Sequence, residues 1–339
     1  MRILVSIVVA AGLLAAALLS GTSLLSAEAV DVVNPSFEAS GQESVPTVGQ
    51  ETRTSAVAAT TGIAITDTHR EAATGRWGLD RIDVPAAWNA ASSFSPVLVA
   101  ILDTGIDPNS SFAGRVMAGI DFTGESCTDD EHGHGTHMAS TIAAIAPNAS
   151  FINLKVADKR GRCDAPTVAK AIRWAADRGA EVINVSLEVA PSQELSNAIS
   201  HAWQVGSIVV AAAGNGGTTH PAYPAAYPEA IAVAGINQND GLTVMSNHGE
   251  WVDVAAPGSG IFAEVFEGKF GKETGTSPAS SHVSGVAALL YGVATDQSGN
   301  GHLNDEVRTA IEESSLPLSI SGVGSGIINA ATAIQMLAS

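Results

Sequence analysis

The segment TGTSPASSHVSGVAALL, residues 274–290, has the pattern of a tight turn that leads directly into a long helix. Pro278 suits the first position of a helix, because its missing N–H would be unpaired there in any case. A proline also disfavours helical geometry in the residue before it, so we predict Ser277 at the cap of this helix. Small residues such as Ser284 and Gly285 would let neighbouring elements approach closely. A serine at the positive end of a buried helix is well placed to stabilise an oxyanion, although an ordinary capped helix start has the same pattern.

Upstream of this segment, apolar runs alternate with stretches of helical spacing. The run Val97–Asp103 is typical of a parallel strand that is buried on both faces. The alternation predicts an α/β fold with a mostly parallel central sheet and helices on both faces. The predicted strands are Val97–Asp103, Ser150–Val156, Glu181–Leu187, Ser207–Ala213, Ala230–Ala234 and Trp251–Ala255. The predicted helices are a short one at Pro85–Trp88, one that follows His134, and Thr167–Arg178, Gln193–Gln204, Asp305–Glu313 and Ala330–Leu337.

The N-terminal region predicts export of the protein. Residues 1–29 combine Arg2, an apolar run and the small-residue triplet that ends at Ala29, which is the layout of a secretory signal. An uncleaved membrane anchor is the alternative, because the apolar run extended to Leu25 approaches spanning length. Residues 30–75 are rich in small and polar residues without periodicity, which predicts a poorly ordered pro-segment or linker.

Composition excludes one broad class of function. The 339 residues include 34 acidic and 16 basic side chains, a net charge of −18, whereas nucleic-acid binding requires a basic surface. We interpret the charge as a solvated acidic surface that keeps an exported protein soluble. The two cysteines, Cys127 and Cys163, could form one disulfide or remain two free thiols.

Polar residues stand at the ends of the predicted strands, where ligands bind in open parallel sheets. Asp103, Ser186 and Asn215 all occupy such positions, and His134 lies between the first two strands. With Ser277, the order along the chain is Asp, His, Ser, which is one of the known orders of a hydrolytic triad.

These residues carry a family resemblance. The blocks Asp103-Thr-Gly, His134-Gly-Thr-His, Ala213-Gly-Asn and Gly275-Thr-Ser-x-Ala279 resemble the signature blocks of subtilisin-like serine peptidases, the subtilase family or peptidase S8. The resemblance runs from about residue 77 to the C-terminus. It implies that residues 76–339 form one peptidase domain with the three-layer subtilisin-like fold. It also implies a secreted serine endopeptidase whose partners are protein or peptide substrates. We expect a monomer without stable membrane association after signal cleavage.

The resemblance assigns a role to each catalytic residue. Ser277 would attack the scissile carbonyl, His134 would accept and return its proton, and Asp103 would orient the imidazole. The side-chain amide of Asn215 and the backbone N–H of Ser277 would bind the oxyanion. The proline at position 278 removes only its own N–H, so the donor that the chemistry requires is retained.

The resemblance also implies a set of substrate-binding residues. Where the family typically has Ser-Leu-Gly-Gly along the cleft, this chain has Ser-Leu-Glu-Val at 186–189. We hypothesise that Glu188 favours basic substrate side chains, and a solvent-facing Glu188 is the alternative. The implied substrate-binding residues are Gly161, Arg162, Ser186, Leu187, Glu188 and Gly214.

Two further expectations concern cross-links and ions. Some exported relatives bridge the regions that contain Cys127 and Cys163, which favours a disulfide between them, with two separate thiols as the alternative. The calcium loop that the family commonly inserts in the helix after the catalytic histidine is missing, since residues 143–147 run straight through. We therefore predict no cofactor and no metal ligand, with another calcium site left open.

Three other classes of protein fit the sequence less well. His132, His134 and His137 have the spacing of a zinc hydrolase, but Thr136 stands where that motif has an aspartate. An aspartic peptidase would need a second Asp-Thr-Gly copy, and the sequence has none. A non-catalytic scaffold of the family would normally have lost a triad residue, and all three residues are present.

Overall fold

A computed structural model of the protein describes residues 77–338. The predicted signal sequence at 1–29 and pro-segment at 30–75 lie outside the described residues, so both stay predictions. Between residues 77 and 338, no helix has the length and apolar character needed to cross a membrane.

A parallel sheet of seven strands forms the centre of this region. Its strands are β1 (Val97–Asp103), β2 (Val116–Asp121), β3 (Ala149–Lys155), β4 (Val182–Val185), β5 (Ile208–Ala212), β6 (Ala230–Ile236) and β7 (Val254–Pro257). The order across the sheet is β2-β3-β1-β4-β5-β6-β7. β1 therefore lies inside the sheet, paired in parallel with β3 and β4. Strands β4 to β7 are buried along their whole length. This burial explains why β5 to β7 appear in the sequence as unbroken apolar runs, whereas Asn184 interrupts the run of β4.

Helices cover both faces of the sheet. They are α1 (Trp77–Arg81), α2 (Val84–Ala90), α3 (His134–Ile145), α4 (Ala165–Ala176), α5 (Gln193–Gln204), α6 (Thr276–Tyr291), α7 (Asn304–Glu313) and α8 (Ala330–Ala338). Because side chains alternate along a strand, Val99 and Ile101 pack in the core with α2, α3 and α6. Ala100 and Leu102 face the other way and pack with α4 and α5. The predicted three-layer α/β architecture is confirmed.

Helix α6 is buried at every one of its 16 residues. Gly285 provides the close approach that the sequence predicted, because a Cβ at this position would lie 2.8 Å from the Cβ of Ile145 on α3. The predicted position of Ser277 was wrong: α6 begins at Thr276, so Ser277 is the second helical residue and Pro278 the third. Proline is tolerated there because the first N–H groups of a helix have no intrahelical acceptor.

Two features of the fold were not predicted. Strand β2 lies at the edge of the sheet and is mostly exposed or half-buried, so it has no apolar run. The strands β8 (Ile261–Glu264) and β9 (Phe270–Glu273) pair in antiparallel fashion and lead directly into α6. This hairpin brings Glu273 to a position four residues before Ser277.

Candidate active site

The predicted catalytic residues stand at the ends of strands and the starts of helices. Asp103 is the last residue of β1, and Asn215 lies three residues beyond the end of β5. His134 is the first residue of α3, and Ser277 is the second residue of α6. Such positions combine a rigid scaffold with the partial positive charge of a helix start.

The pairing of Asp103 with His134 is the clearest feature of the site. His134 Nδ1 donates to Asp103 Oδ1 at 2.7 Å, and this oxygen also accepts the backbone N–H of Thr104 at 2.7 Å. Asp103 is fully buried and His134 is 2% exposed. Burial lowers the pKa of His134, but the charges of Asp103 and Glu273 outweigh burial and raise it well above its ordinary value.

A buried carboxylate that the sequence analysis gave no role fixes the start of α3. Asp130 accepts hydrogen bonds from the backbone N–H of Gly133 at 2.8 Å and from the hydroxyl of Thr136 at 2.7 Å. Its Oδ1 also accepts from the hydroxyl of Thr104 at 2.8 Å, which ties the end of β1 to the start of α3. The N-cap position itself is Gly133, so the usual capping pattern gave no sequence signal for Asp130.

Ser277 and Asn215 are held by neighbouring backbone groups. The Ser277 hydroxyl donates to the carbonyl oxygen of Ser186 at 3.1 Å, and Ser277 is 1% exposed. Asn215 Oδ1 accepts the backbone N–H of Thr276 at 2.9 Å and its hydroxyl at 3.2 Å. The amide oxygen of Asn215 is thereby directed toward the start of α6.

A cavity of about 210 Å³ adjoins Ser277 and Asn215. The structure brings five of the six predicted substrate-binding residues to this cavity, whereas Arg162 is absent from its lining and donates to the Asp158 carboxylate at 2.7 Å. The lining residues are Gly161, Cys163, Ser186, Leu187, Glu188, Ala212, Gly214, Asn215, Gly216, Thr276 and Ser277.

Glu188 places a carboxylate at this cavity. The side chain is half-buried, and burial raises its pKa. A Cβ at Gly214 would lie 2.7 Å from Glu188 Oε2, so the carboxylate lies against the backbone there. Among the ion pairs of residues 77–338, none includes Glu188.

A second acidic residue at the site was missed by the sequence analysis. Glu273 is 1% exposed, and its Oε1 lies 3.2 Å from Nε2 of His134. Burial raises the pKa of Glu273, but the charge of His134 outweighs it, and the net direction is down. No sequence signal identifies this contact, because it depends on the β8–β9 hairpin.

The predicted disulfide is not formed, and the two cysteines are free thiols. Cys127 is exposed, whereas Cys163 faces the cavity with its Sγ 4.0 Å from the carbonyl oxygen of Glu188. Burial raises the pKa of the Cys163 thiol to about 12. The two side chains occupy different surroundings, which corrects the proposed pairing.

The three histidines of the alternative zinc motif do not converge. His137 Nε2 contacts the carbonyl oxygen of Ile261 at 2.9 Å, and His134 Nδ1 is engaged by Asp103. In the part of the chain that the structure describes, no group of three or more potential ligand side chains is arranged to hold a metal ion.

Comparisons with known proteins identify the family of this chain. The family model described as the subtilase family, peptidase S8, matches residues 95–326. Thermitase from Thermoactinomyces vulgaris is 40% identical over 275 residues, which cover 77% of this chain and 96% of thermitase. Subtilisin BL from Lederbergia lenta is 35% identical over 271 residues, which cover 76% and 98% of the two chains.

A solved structure shares the fold. It is described as proteases from Pseudoalteromonas arctica PAMC 21717 and superposes with a TM-score of 0.67 at 26% sequence identity. The match covers 76% of this chain and 94% of that structure. The match of the family model and the identity to thermitase and subtilisin BL establish that this chain belongs to the subtilase family and is a serine-type endopeptidase that acts on protein or peptide substrates.

Proposed function

We propose that this endopeptidase uses Ser277 as the nucleophile, His134 as the general base and Asp103 as the orienting carboxylate. The observation that carries the proposal is the 2.7 Å contact between His134 Nδ1 and Asp103 Oδ1 in a buried site. Because a carboxylate only accepts hydrogen bonds, Nδ1 carries a proton. Nε2 of the neutral ring is then the nitrogen that accepts the proton of Ser277.

The reaction follows from these positions. Ser277 Oγ attacks the scissile carbonyl carbon while its proton passes to His134 Nε2, and the imidazolium returns that proton to the leaving amine. Water then attacks the acyl-enzyme with the same base. Asp103 stays ionised throughout, and its charge stabilises the imidazolium that forms in each half of the reaction.

Asn215 and the start of α6 provide the oxyanion site in this proposal. The Asn215 oxygen accepts from Thr276, so its amide nitrogen is the end of the side chain that serves as a donor to the oxyanion. The backbone N–H of Ser277 is the second donor, at the positive end of a 16-residue helix. Such donors act mainly in the transition state, when the negative charge develops.

The cavity beside Ser277 is the proposed pocket for the substrate side chain that precedes the scissile bond. Glu188 is a half-buried carboxylate there without a basic partner in residues 77–338, so a Lys or Arg side chain of the substrate would supply the missing charge. We therefore propose a preference for basic residues. Gly161 and Arg162 remain the proposed edge for pairing with substrate backbone.

Secretion, assembly and ions complete the proposal. We propose that residues 1–29 direct export, that residues 30–75 are a pro-segment, and that the mature enzyme is a monomer without stable membrane association. We also propose that it needs no cofactor and lacks the tight calcium site common in the family. Sequencing the N-terminus of the protein from the culture medium tests the export step.

A fluorophosphonate probe followed by peptide mapping tests the catalytic assignment. We expect one labelled residue, Ser277, in the wild-type protein and no label in Ser277→Ala. His134→Ala should be labelled far more slowly, because the base that activates the serine is gone. Failure to label Ser277, together with loss of activity on treatment with a zinc chelator alone, would refute the proposal.

A further inference from the structure

Glu273 is a buried ionisable residue that the proposed reaction does not use. It is the last residue of β9, and it is 1% exposed. Oε1 lies 3.2 Å from His134 Nε2, and Oε2 lies 3.6 Å from His137 Nδ1. Neither carboxylate oxygen accepts an aligned hydrogen bond from the described residues. The site therefore contains a buried carboxylate whose nearest partners are two histidine rings.

Only one of the two rings can balance the charge of Glu273. His137 Nε2 faces the carbonyl oxygen of Ile261 at 2.9 Å, and a carbonyl only accepts, so Nε2 carries the proton of the neutral ring. Burial lowers the pKa of His137 despite the charge of Glu273, so this ring is neutral and its Nδ1 bears no proton. His137 thus offers Glu273 neither a donor nor a positive charge.

His134 is in the opposite situation. Its Nδ1 already donates to Asp103, so Nε2 bears a proton only when the ring is an imidazolium. Charging the ring places a positive charge between two buried carboxylates, whereas a neutral ring leaves Glu273 buried and unpaired. Because an uncompensated buried charge is strongly destabilising, the charged ring is favoured.

We propose that Glu273 stabilises the imidazolium form of His134 and thereby sets the lowest pH at which His134 can serve as the base. This inference rests on the proposed role of His134 in proton transfer. A proton held on Nε2 by Glu273 must leave before that nitrogen can accept the proton of Ser277. The same carboxylate also favours the imidazolium that forms during the reaction, so it strengthens the base once it is neutral.

Among the charged groups near His134 in the described residues, Glu273 is the one that can be replaced to change the stability of the imidazolium without removing the triad. The charged and titratable groups near the ring are Asp103 on β1, Glu273 on β9, His137 on α3 and His132 in the preceding loop. The centroids of the His132 and His134 rings are 6.2 Å apart, and burial followed by the charge of His134 lowers the pKa of His132. Asp103 is needed for the triad itself, which makes Glu273 the carboxylate that can be changed.

The pH profile of kcat/KM distinguishes this role from a structural one. Glu273→Gln should move the acid limb to lower pH, because removal of a negative charge makes the imidazolium less stable. Below the midpoint of the wild-type limb, the variant should gain about tenfold relative to the wild type for each unit of displacement, reduced by the factor that it loses on the alkaline plateau. On the alkaline plateau it should be slower, because the imidazolium in the transition state has lost a stabilising charge.

Glu264→Gln is the matched control on the same hairpin. Glu264 is buried, but its carboxylate accepts from the backbone N–H of Ser111 at 3.0 Å and from its hydroxyl at 2.6 Å, away from His134. This variant should keep the wild-type acid limb even if the hairpin is less stable. An unchanged limb in Glu273→Gln, or an equal displacement in Glu264→Gln, would overturn the inference.

An NMR titration covers the case in which Glu273→Gln fails to fold. In the full chain with Ser277→Ala, we expect the Nε2 proton, which His134 carries only as an imidazolium, to persist to a pH above the ordinary range of histidine, about 6.5. A midpoint at or below that value would refute the inference. The titration requires no activity, so it stands apart from the fluorophosphonate labelling, whose failure would instead refute the assignment of Ser277.

Discussion

Gly135 allows α3 to approach the end of β1, and replacing it with alanine tests how closely catalysis depends on that contact. A Cβ at Gly135 would lie 2.1 Å from the carbonyl oxygen of Gly105 and 3.0 Å from the Cβ of Asp103. Contacts below 3.0 Å essentially never occur for real Cβ atoms. The atom nearest to the added Cβ belongs to the backbone and cannot rotate away. The start of α3 and the end of β1 must therefore move apart by about 1 Å.

This displacement would lengthen the hydrogen bond between His134 Nδ1 and Asp103 Oδ1, which measures 2.7 Å. A hydrogen bond lengthened by about 1 Å is lost, and a misplacement of that size in a catalytic site costs about 10²-fold in rate. We therefore expect Gly135→Ala to lower kcat by about two orders of magnitude. KM should change little, because none of the cavity-lining residues is on α3. Overpacking should also cost about 1–3 kcal/mol of stability.

Steady-state kinetics on a peptide substrate, with melting curves to establish folding, measure this effect. Gly114→Ala is the control, because a Cβ at Gly114 would meet nothing within 4 Å and the change should leave kcat as it is. A folded Gly135→Ala protein with wild-type kcat would refute the reasoning. It would show that the start of α3 relaxes without disturbing the Asp103–His134 pair.

Three further predictions address the oxyanion site, the specificity pocket and ions. Asn215→Ala should lower kcat by about 10²–10³-fold with little change in KM, a magnitude taken from the loss of one oxyanion donor in subtilisin and transferred here by family membership; a change confined to KM would assign Asn215 to substrate binding alone. Glu188→Gln should reduce the preference for Lys and Arg in a peptide library, and an identical preference in both proteins would remove the proposed role of its charge. A calcium chelator should leave the melting temperature nearly unchanged if, as we propose, the loop that would supply converging oxygen ligands is missing, and a large drop would reveal another strong site.

The central sheet was predictable because parallel strands that are buried on both faces consist almost entirely of apolar residues. β1 matches its predicted bounds, and β5 lies within its predicted range. The edge strand β2 has no continuous run of apolar residues, because its side chains are exposed or half-buried. The short β9 strand alternates exposed and buried residues over only four positions, which is too little to predict a strand.

The site likewise contains positions that could be predicted from local sequence and a contact that could not. The ends of β1 and β5 and the start of α3 place Asp103, Asn215 and His134 by local rules, so these positions were predictable. The contact of Glu273 with His134 joins residues 139 positions apart in sequence, through a hairpin that was not predicted. The predicted position of Ser277 was wrong for a local reason, because proline is tolerated throughout the first turn of a helix and therefore does not mark its first residue.

The buried charge pair also determines how stability should depend on pH. Burial lowers the pKa of His134, but Asp103 and Glu273 raise it well above its ordinary value. Such a group contributes stability that is complete below the unfolded pKa, about 6.5, and is lost as the pH rises through the folded value. For Glu273, burial raises the pKa but His134 lowers it further, so its contribution is present above the unfolded value and lost as the pH falls through the folded one.

We therefore predict that Glu273→Gln costs stability near pH 6 and ceases to do so at alkaline pH. Melting temperatures would be compared between Ser277→Ala and Ser277→Ala/Glu273→Gln, since the inactive background prevents self-digestion. The two proteins should differ most at about pH 6, and the difference should shrink as the pH rises through the folded pKa of His134, above which the carboxylate of Glu273 would face a neutral ring. Groups remote from Glu273 contribute equally to both curves, so the difference between the curves reports on Glu273 and the histidine rings beside it. A difference that grows as the pH rises above 6.5 would contradict the assigned charges, because only an imidazolium loses its attraction to Glu273 in that direction.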